Sequence, residues 1–433
     1  MINKVKLKLT KSAFDVAIKL FTPYLNEILL EHGLSIESLE IEGFSNRIIK
    51  DDLLNILNML PNLEYLSITD LLNDSTSRNI KISPQEEVVN LMKLKELKLN
   101  CCDSQIAGIF NALSPGVLEI LELTNIFIYS GFLDQMFHQQ WNINKLRIDY
   151  GMIDPSTNIY YGDKLKDCQD KFHLIKDQET KWNIPINHLH LTHLRLKEFV
   201  LEKDNESEMF TNSIKHQYQL VSLDLDDTVI KEATLGAICN LKQLECLRFR
   251  VEFFNHEALL HLKSIPELRE LSIINSNTFD DDYMKTISYL RLPSLLKLNL
   301  ELTEFDCNDE YFVGVSQNLP NLRTLKIRVA LKSSTINTIL SSFRQLKVLK
   351  LITYGTPADF NTKSLSNENL KNSKLRKLEI SGDIIIPNNL ITTISSNFCN
   401  LKKLKLSFKE CPIEEVIQEV RKSCHKIKFI KIK

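Results

Sequence analysis

The sequence predicts an α/β array assembled repeat by repeat, with a parallel sheet on one side and helices on the other. Three observations carry that expectation. The chain has 433 residues, more than one ordinary hydrophobic core serves, so it must divide into domains or add core along an axis. A six-residue pattern of apolar, two variable, apolar, one variable, apolar recurs fifteen times from Ile36 onward, mostly at steps of 24 to 31 residues. The stretches between copies carry helical spacing and end on similar stop signals.

Each copy reads as one short strand. In Leu63-Glu64-Tyr65-Leu66-Ser67-Ile68, period-two alternation puts Leu66 and Ile68 on one face and Ser67 on the other. A weaker copy, Ile2-Val5-Leu7, makes sixteen the upper count. Between copies, Asp51-Asp52-Leu53-Leu54-Asn55-Ile56-Leu57 opens with carboxylates that suit a helix N-terminus, and Leu60-Pro61-Asn62-Leu63 stops the helix before the next strand. The stop returns as Leu319-Pro320-Asn321-Leu322, with Pro266 and Pro293 in equivalent places. Such a unit cannot bury its apolar face alone, so stacked neighbours must supply one continuous core. One step, from Ile143 to Leu191, is 48 residues long, and its polar segment 150–187 is expected to be an inserted loop rather than a degenerate repeat.

This pattern and spacing resemble the leucine-rich repeat. The resemblance implies a single solenoid over 1–433, a horseshoe of about fifteen to sixteen repeats with a parallel concave sheet and convex helices. The repeats with Pro before the strand are similar to those of F-box substrate receptors, which implies substrate recognition for an F-box-type ubiquitin ligase and a ligase adaptor as partner. The F-box itself is not found, since no three-helix segment opening with Leu-Pro precedes the first strand. Ribonuclease-inhibitor-type repeats are similar too, but they place Asn or Cys three residues after the last strand leucine. Here that place holds residues such as Phe44, Leu71, Ile126 and Thr228, and only Cys102 fits. The pattern reaches both ends, from Ile2 to Ile430-Lys431-Ile432-Lys433, so the chain is expected to be a fragment or to cover its end repeats by a partner or unusual packing.

Composition narrows the function. With 54 basic and 55 acidic residues the net charge is -1, which argues against a global polyanion binder, so nucleic acid is not the expected partner. Nine scattered cysteines and an N-terminus, MINKVKLKLT, without an apolar signal core read as reduced thiols in cytoplasm or nucleus. No apolar run approaches the ~18 residues of a membrane span. Phosphate loop, nucleophile elbow and paired-carboxylate motif are all missing, so no catalytic residue and no cofactor is expected. His188, His190 and His193 read as polar residues of a strand and its lead-in rather than metal ligands. Cys101-Cys102 reads as structural thiols, and the acidic runs Asp280-Asp281-Asp282 and Asp306 to Glu310 as helix starts.

The outward strand positions form the candidate binding surface. Arg195, Asp224 and Arg248 read as a cross-strand charge lattice whose replacement costs at most ~1 kcal/mol. Over the last five copies the outward positions hold Lys326, Arg328, Lys350, Lys377, Lys403, Lys405 and Lys431, with Glu379 their acidic neighbour. Together with Arg195 and Arg248 these are the expected partner-binding residues. Strands ~4.8 Å apart bring several cations within reach of one acidic or phosphorylated protein segment. A solvated lysine face is the structural alternative, and a small or lipid-borne polyanion, such as an inositol phosphate or acidic headgroup, the functional one.

Overall fold

A computed structural model of the chain describes residues 5–10, 27–42, 50–71, 91–102, 109, 113–124, 127–129, 136–149, 152–154, 186–197, 204–251, 255–275, 281–306, 308–330, 333–359, 374–385, 398, 400–408 and 429–432. Two compact units divide the chain, Met1–Leu220 and Val221–Lys433.

In the first unit the strands are β1 (Val5–Thr10), β2 (Ile36–Glu42), β3 (Tyr65–Leu71), β4 (Glu96–Cys102), β5 (Ile120–Thr124), β6 (Phe127–Tyr129), β7 (Lys145–Asp149), β8 (Met152–Asp154) and β9 (His193–Lys197). All but β6 and β8 pair in chain order as a parallel sheet; β6 and β8 form a parallel pair of their own. Helix α1 (Lys50–Asn58) buries Leu53, Ile56 and Leu57, the i, i+3, i+4 face that its spacing predicted. Helix α2 (Asp204–Lys215) buries Phe210 and Ile214 in the same way.

In the second unit β10 (Ser222–Ile230), β11 (Cys246–Val251), β12 (Glu270–Asn275), β13 (Lys297–Asp306), β14 (Thr324–Ala330), β15 (Val348–Asp359), β16 (Lys377–Ile385), β17 (Lys403–Phe408) and β18 (Phe429–Ile432) again pair in chain order, all parallel. Between them lie helices α3 (Glu232–Ile238), α4 (Asp281–Ser288), α5 (Asp309–Asn318) and α6 (Ser333–Ser342), and a nine-residue 3-10 segment, His256–Ser264, capped by Asn255. Among the described residues, consecutive parallel strands with helices in several of the crossovers, and no strand returning between earlier ones, are the α/β leucine-rich-repeat arrangement. Of the segment 150–187, Met152–Asp154 is strand β8 and residues 186 and 187 open the 3-10 turn Ile186–His188; residues 155–185 lie outside the described residues.

The predicted register holds strand by strand. Leu247, Leu271, Leu298 and Leu325 are successive partners, each 2% exposed or less, and Phe249, Ile273, Leu300 and Ile327 form the next layer. Each such side chain contributes roughly 1.5–3 kcal/mol by leaving water.

One carbonyl per repeat locks the next repeat in place. The Glu64 carbonyl accepts from the backbone N–H groups of both Lys95 and Glu96, at 2.9 and 3.1 Å. The Arg376 carbonyl accepts from Lys402 and Lys403 at 2.8 and 3.0 Å, and the same two-donor bond recurs at Lys95, Glu119, Asn144, Val221, Glu245, Arg269, Leu296, Arg323 and Lys347. A side-chain bond adds to it. Asn62, in the Leu-Pro-Asn-Leu stop, donates from Nδ2 to the Leu34 carbonyl at 2.7 Å, and Asn321 donates to Pro293 at 2.9 Å. Asn142 to Gly116 and Ser294 to Pro266 repeat the geometry. The polar inter-repeat bond therefore sits one residue before the strand pattern, not three residues after it, where only Cys102 matched.

Two glutamines occupy the apolar slot three residues before a strand pattern, and both are 1% exposed. In an ordinary repeat the first pattern residue donates to the residue in that slot, as Leu63 does to Leu60. Leu118 and Leu191 instead donate to Gln140 Oε1 at 3.1 Å and Gln217 Oε1 at 3.0 Å, each glutamine coming from the following repeat. Their amide nitrogens donate in turn to the carbonyls of Ser114 and Ile186 at 2.9 Å. Each glutamine thus satisfies a buried donor and acceptor at an irregular turn.

Two outcomes test this. Leu271→Asp, which puts a charge into the leucine stack, should cost about 4 kcal/mol or more and unfold the second unit locally in hydrogen exchange. Gln217→Leu fills the same space but leaves the Leu191 N–H and Ile186 carbonyl without this partner; the expected loss is about 1–3 kcal/mol, with faster exchange of the Leu191 amide. Unchanged melting of either variant would contradict the register or the glutamine's role.

Candidate functional site

Residues that point away from the leucine stack line the outward face of each sheet. In the first unit they form a chain of contacts that alternates in sign. Lys98 Nζ lies 3.0 Å from both Glu96 and Glu122; Arg147 lies 3.7 Å from Glu122 and 2.5 Å from Asp149; Arg195 reaches Asp149 at 3.0 Å. The Asp149 side chain is only 3% exposed, so two guanidinium groups hold a nearly buried carboxylate. Burial disfavours the charge on Lys98, but its bonds to Glu96 and Glu122 prevail and raise its pKa.

In the second unit Arg248 contacts Asp224 at 3.9 Å and, more closely, Asp226 at 2.7 Å. Arg248 thus meets Asp224 across the strands as the charge lattice predicts, and Arg248 and Arg195 are tied in addition to the low-exposure carboxylates of Asp226 and Asp149. Their truncation should cost more than the ~1 kcal/mol of an exposed pair, because a low-exposure carboxylate loses a charged partner.

Lys326, Lys350, Glu379, Lys405 and Lys431 are backbone partners across β14–β18, as the outward register predicted. What the spacing did not show is how deeply Glu379 sits. Its side chain is 5% exposed and gathers three ammonium groups: Lys405 at 2.5 Å, Lys350 at 3.3 Å and Lys377 at 3.7 Å. Burial raises the Glu379 pKa, but the bond from Lys405 and the charge of Lys350 outweigh it and hold the carboxyl below its ordinary value. Lys326 pairs with Glu301 on β13, whose carboxyl burial raises and the Lys326 bond lowers, for a net depression. Arg328 and Lys403 are exposed on the flanks, and Lys431 lies in register beside Lys405. Glu301 is legible in hindsight, sharing the outward parity of Asn299.

The remaining candidates take structural positions. His188, His190 and His193 are exposed, and the His188 ring lies 4.4 Å from that of His138. Burial, with the charge of Lys145, lowers the pKa of His193. Among the described residues no group of three or more His, Cys, Asp or Glu side chains could hold a metal ion, and no helix is long and apolar enough to cross a membrane. Asp281 opens α4, and Asn308 caps α5 by accepting from the Glu310 N–H at 3.0 Å. Cys101 and Cys102 end β4. The Cys239 thiol is pushed up to about 12 by burial, the mark of a packed thiol rather than a nucleophile.

No family profile and no curated protein matches the sequence. Similar solved structures are repeat proteins at low identity. An internalin from Listeria monocytogenes is 17% identical over 94% of this chain and 92% of its own, with a TM-score of 0.41. TLR13, solved with the RNA ssRNA13, is 14% identical over 94% of this chain and 63% of that receptor, with a TM-score of 0.42. The plant peptide hormone receptor RGFR1, solved with RGF2, is 14% identical over 92% of this chain and 67% of that chain, with a TM-score of 0.32. At such TM-scores the likeness carries no argument of its own, and the fold rests on the repeat and strand order of this chain.

The depressed carboxyls fix a pH response. A group whose folded pKa lies below its unfolded value of 4.5 stabilises the fold above that value and loses its contribution as pH falls through the folded pKa. Melting temperature should therefore drop below about pH 5, and Glu379→Gln should be less stable at pH 7 with a shallower acid limb. Identical acid limbs for variant and wild type would show that Glu379 is not held in this way.

Proposed function

We propose that this chain is a non-catalytic protein-recognition module of the cytoplasm or nucleus, and that its outward sheet face in the second unit takes an acidic or phosphorylated protein segment. The observation that supports this is the Glu379 cluster. Three ammonium groups against one carboxylate leave a local surplus of positive charge, and the carboxylate orders the lysines that carry it. Ordered cations on strands bind an oxyanion with less loss of side-chain entropy than freely rotating surface lysines. Exposed Arg328 and Lys403 extend the field along the same face.

A finer role, substrate recognition for an F-box-type ubiquitin ligase, draws on the resemblance of the Pro-before-strand repeats. Affinity purification from the protein's own cells tests it: an adaptor, a cullin or ubiquitylated clients are expected. Partners recovered without any of them would remove the ligase role and leave the recognition module.

The recognition test must spare the lysines that neutralise Glu379. Arg328→Glu with Lys403→Glu should weaken a fluorescent twelve-residue phosphoserine-glutamate peptide about tenfold, in a salt-sensitive way, while melting stays within a few degrees. Lys350→Glu with Lys405→Glu should weaken binding and also lower the melting temperature, because it surrounds a buried carboxylate with like charge. Wild-type affinity in the first variant, or binding of free inositol hexakisphosphate in preference to the peptide, would overturn the assignment.

A further inference from the structure

The strand-entry turns of the first unit carry a row of exposed large apolar side chains. Leu34 is 74% exposed, Met92 61%, Trp141 50% and Tyr218 66%. All four occupy one place in the repeat, two residues before the first apolar residue of the strand pattern. They recur at every second repeat, with Pro61, Gly116 and Leu189 in the places between. The row continues at one end into exposed Ile28 and Leu30 of the helical residues 27–32.

The repeat itself does not demand apolar residues there. In the second unit the same place holds Lys242, Pro266, Pro293, Pro320 and Arg344. Nor do the turns leave these side chains loosely held. The Trp141 ring covers Gly116, whose φ is +68°, so closely that a Cβ there would lie 2.7 Å from Cζ2. Asn142 bonds the Gly116 carbonyl, and buried Gln217 pins the turn that presents Tyr218. Exposed Trp, Tyr and Met on anchored turns are the composition of an interface core rather than of a solvated edge.

Spacing and charge define what covers the row. Parallel repeats ~4.8 Å apart put successive apolar side chains about 10 Å apart. That matches residues i and i+7 of an α-helix, two turns or about 10.5 Å. The turns between helix and strand pattern bear Lys93, with Lys215 and the imidazoles of His138, His188, His190 and His216 close by in sequence; the carboxylates Glu27 and Glu31 are confined to the Leu34 end, where Glu31 lies 3.8 Å from His32. We infer that this edge docks an amphipathic helix of a protein partner, with its apolar stripe on the row and acidic flanks on the imidazole and ammonium groups. The site is formed by residues of the first unit alone.

The probe is a 21-residue helical peptide with leucines at i, i+3 and i+7 spacing and glutamate flanks, set against the same peptide with lysine flanks and a scrambled one. Trp141 is one of two tryptophans, so fluorescence of the full chain carrying Trp182→Phe reports cover of the row. Saturable binding of the acidic helix with a blue shift is expected, with both controls at least about tenfold weaker. Met92→Ser with Tyr218→Ser should weaken it at least about tenfold at unchanged melting temperature, while Arg328→Glu with Lys403→Glu leaves it intact. Equal binding to the Met92/Tyr218 variant, preference for the lysine-flanked helix, or no binding of the acidic helix would overturn the inference. So would a concentration-dependent dimer that those two serines abolish, because a second copy would then cover the edge.

Discussion

Most of the described repeats depend on one carbonyl of the repeat before them. That carbonyl, at Glu64 or Arg323 or Arg376, accepts two adjacent N–H groups of the next strand and so fixes both its direction and its register. Register has large consequences here, because a slip of one residue would exchange Leu271 and Ser272 between core and solvent along the whole sheet. The leucine stack supplies the stabilisation, but it is nondirectional; the shared carbonyl decides which leucine meets which. The asparagines before the strand patterns and the two buried glutamines extend the same control to turns, where a buried backbone group would otherwise lack a partner.

A register set in this way also fixes the outward face. In each unit a low-exposure carboxylate organises longer cationic side chains around it: Asp149 holds Arg147 and Arg195, and Glu379 holds Lys350, Lys377 and Lys405. The surroundings differ. Around Asp149 the chain of charges runs on through Glu122, Lys98 and Glu96, alternating in sign, so the network is close to internally neutral. Around Glu379 cations outnumber the carboxylate, and the surplus faces outward. The same device thus knits one sheet face together and, on the proposed reading, leaves the other able to attract an anion.

How much could be read from the letters follows from what kind of signal each feature leaves. The chain-ordered strands, their inward leucines and their order leave a period-two pattern at a regular step and were legible among the described residues, whereas the pair β6 and β8 carries no such pattern. The helices left spacing and stop signals, as at Leu60-Pro61-Asn62-Leu63, although Asn62 read as a stop when its side chain also joins two repeats. Gln140 and Gln217 are polar letters in apolar slots, and nothing local says that an irregular turn in the preceding repeat needs them. Glu379, Asp149 and Asp226 look like surface charges in sequence because their burial comes from neighbours about 25 to 50 residues away. The exposed row from Leu34 to Tyr218 is invisible for the opposite reason, since an apolar letter before a strand reads as core.

We propose that the ordered lysines around Glu379 are a recognition surface rather than a solvated one. Site-resolved acetylation measured by mass spectrometry, with and without a saturating phosphoserine-glutamate peptide, addresses it directly. Binding should protect Lys350, Lys377, Lys403 and Lys405, with Lys98 and Lys297 unchanged. Protection of Lys98 with no change at those four residues, or uniform protection of all lysines, would contradict it.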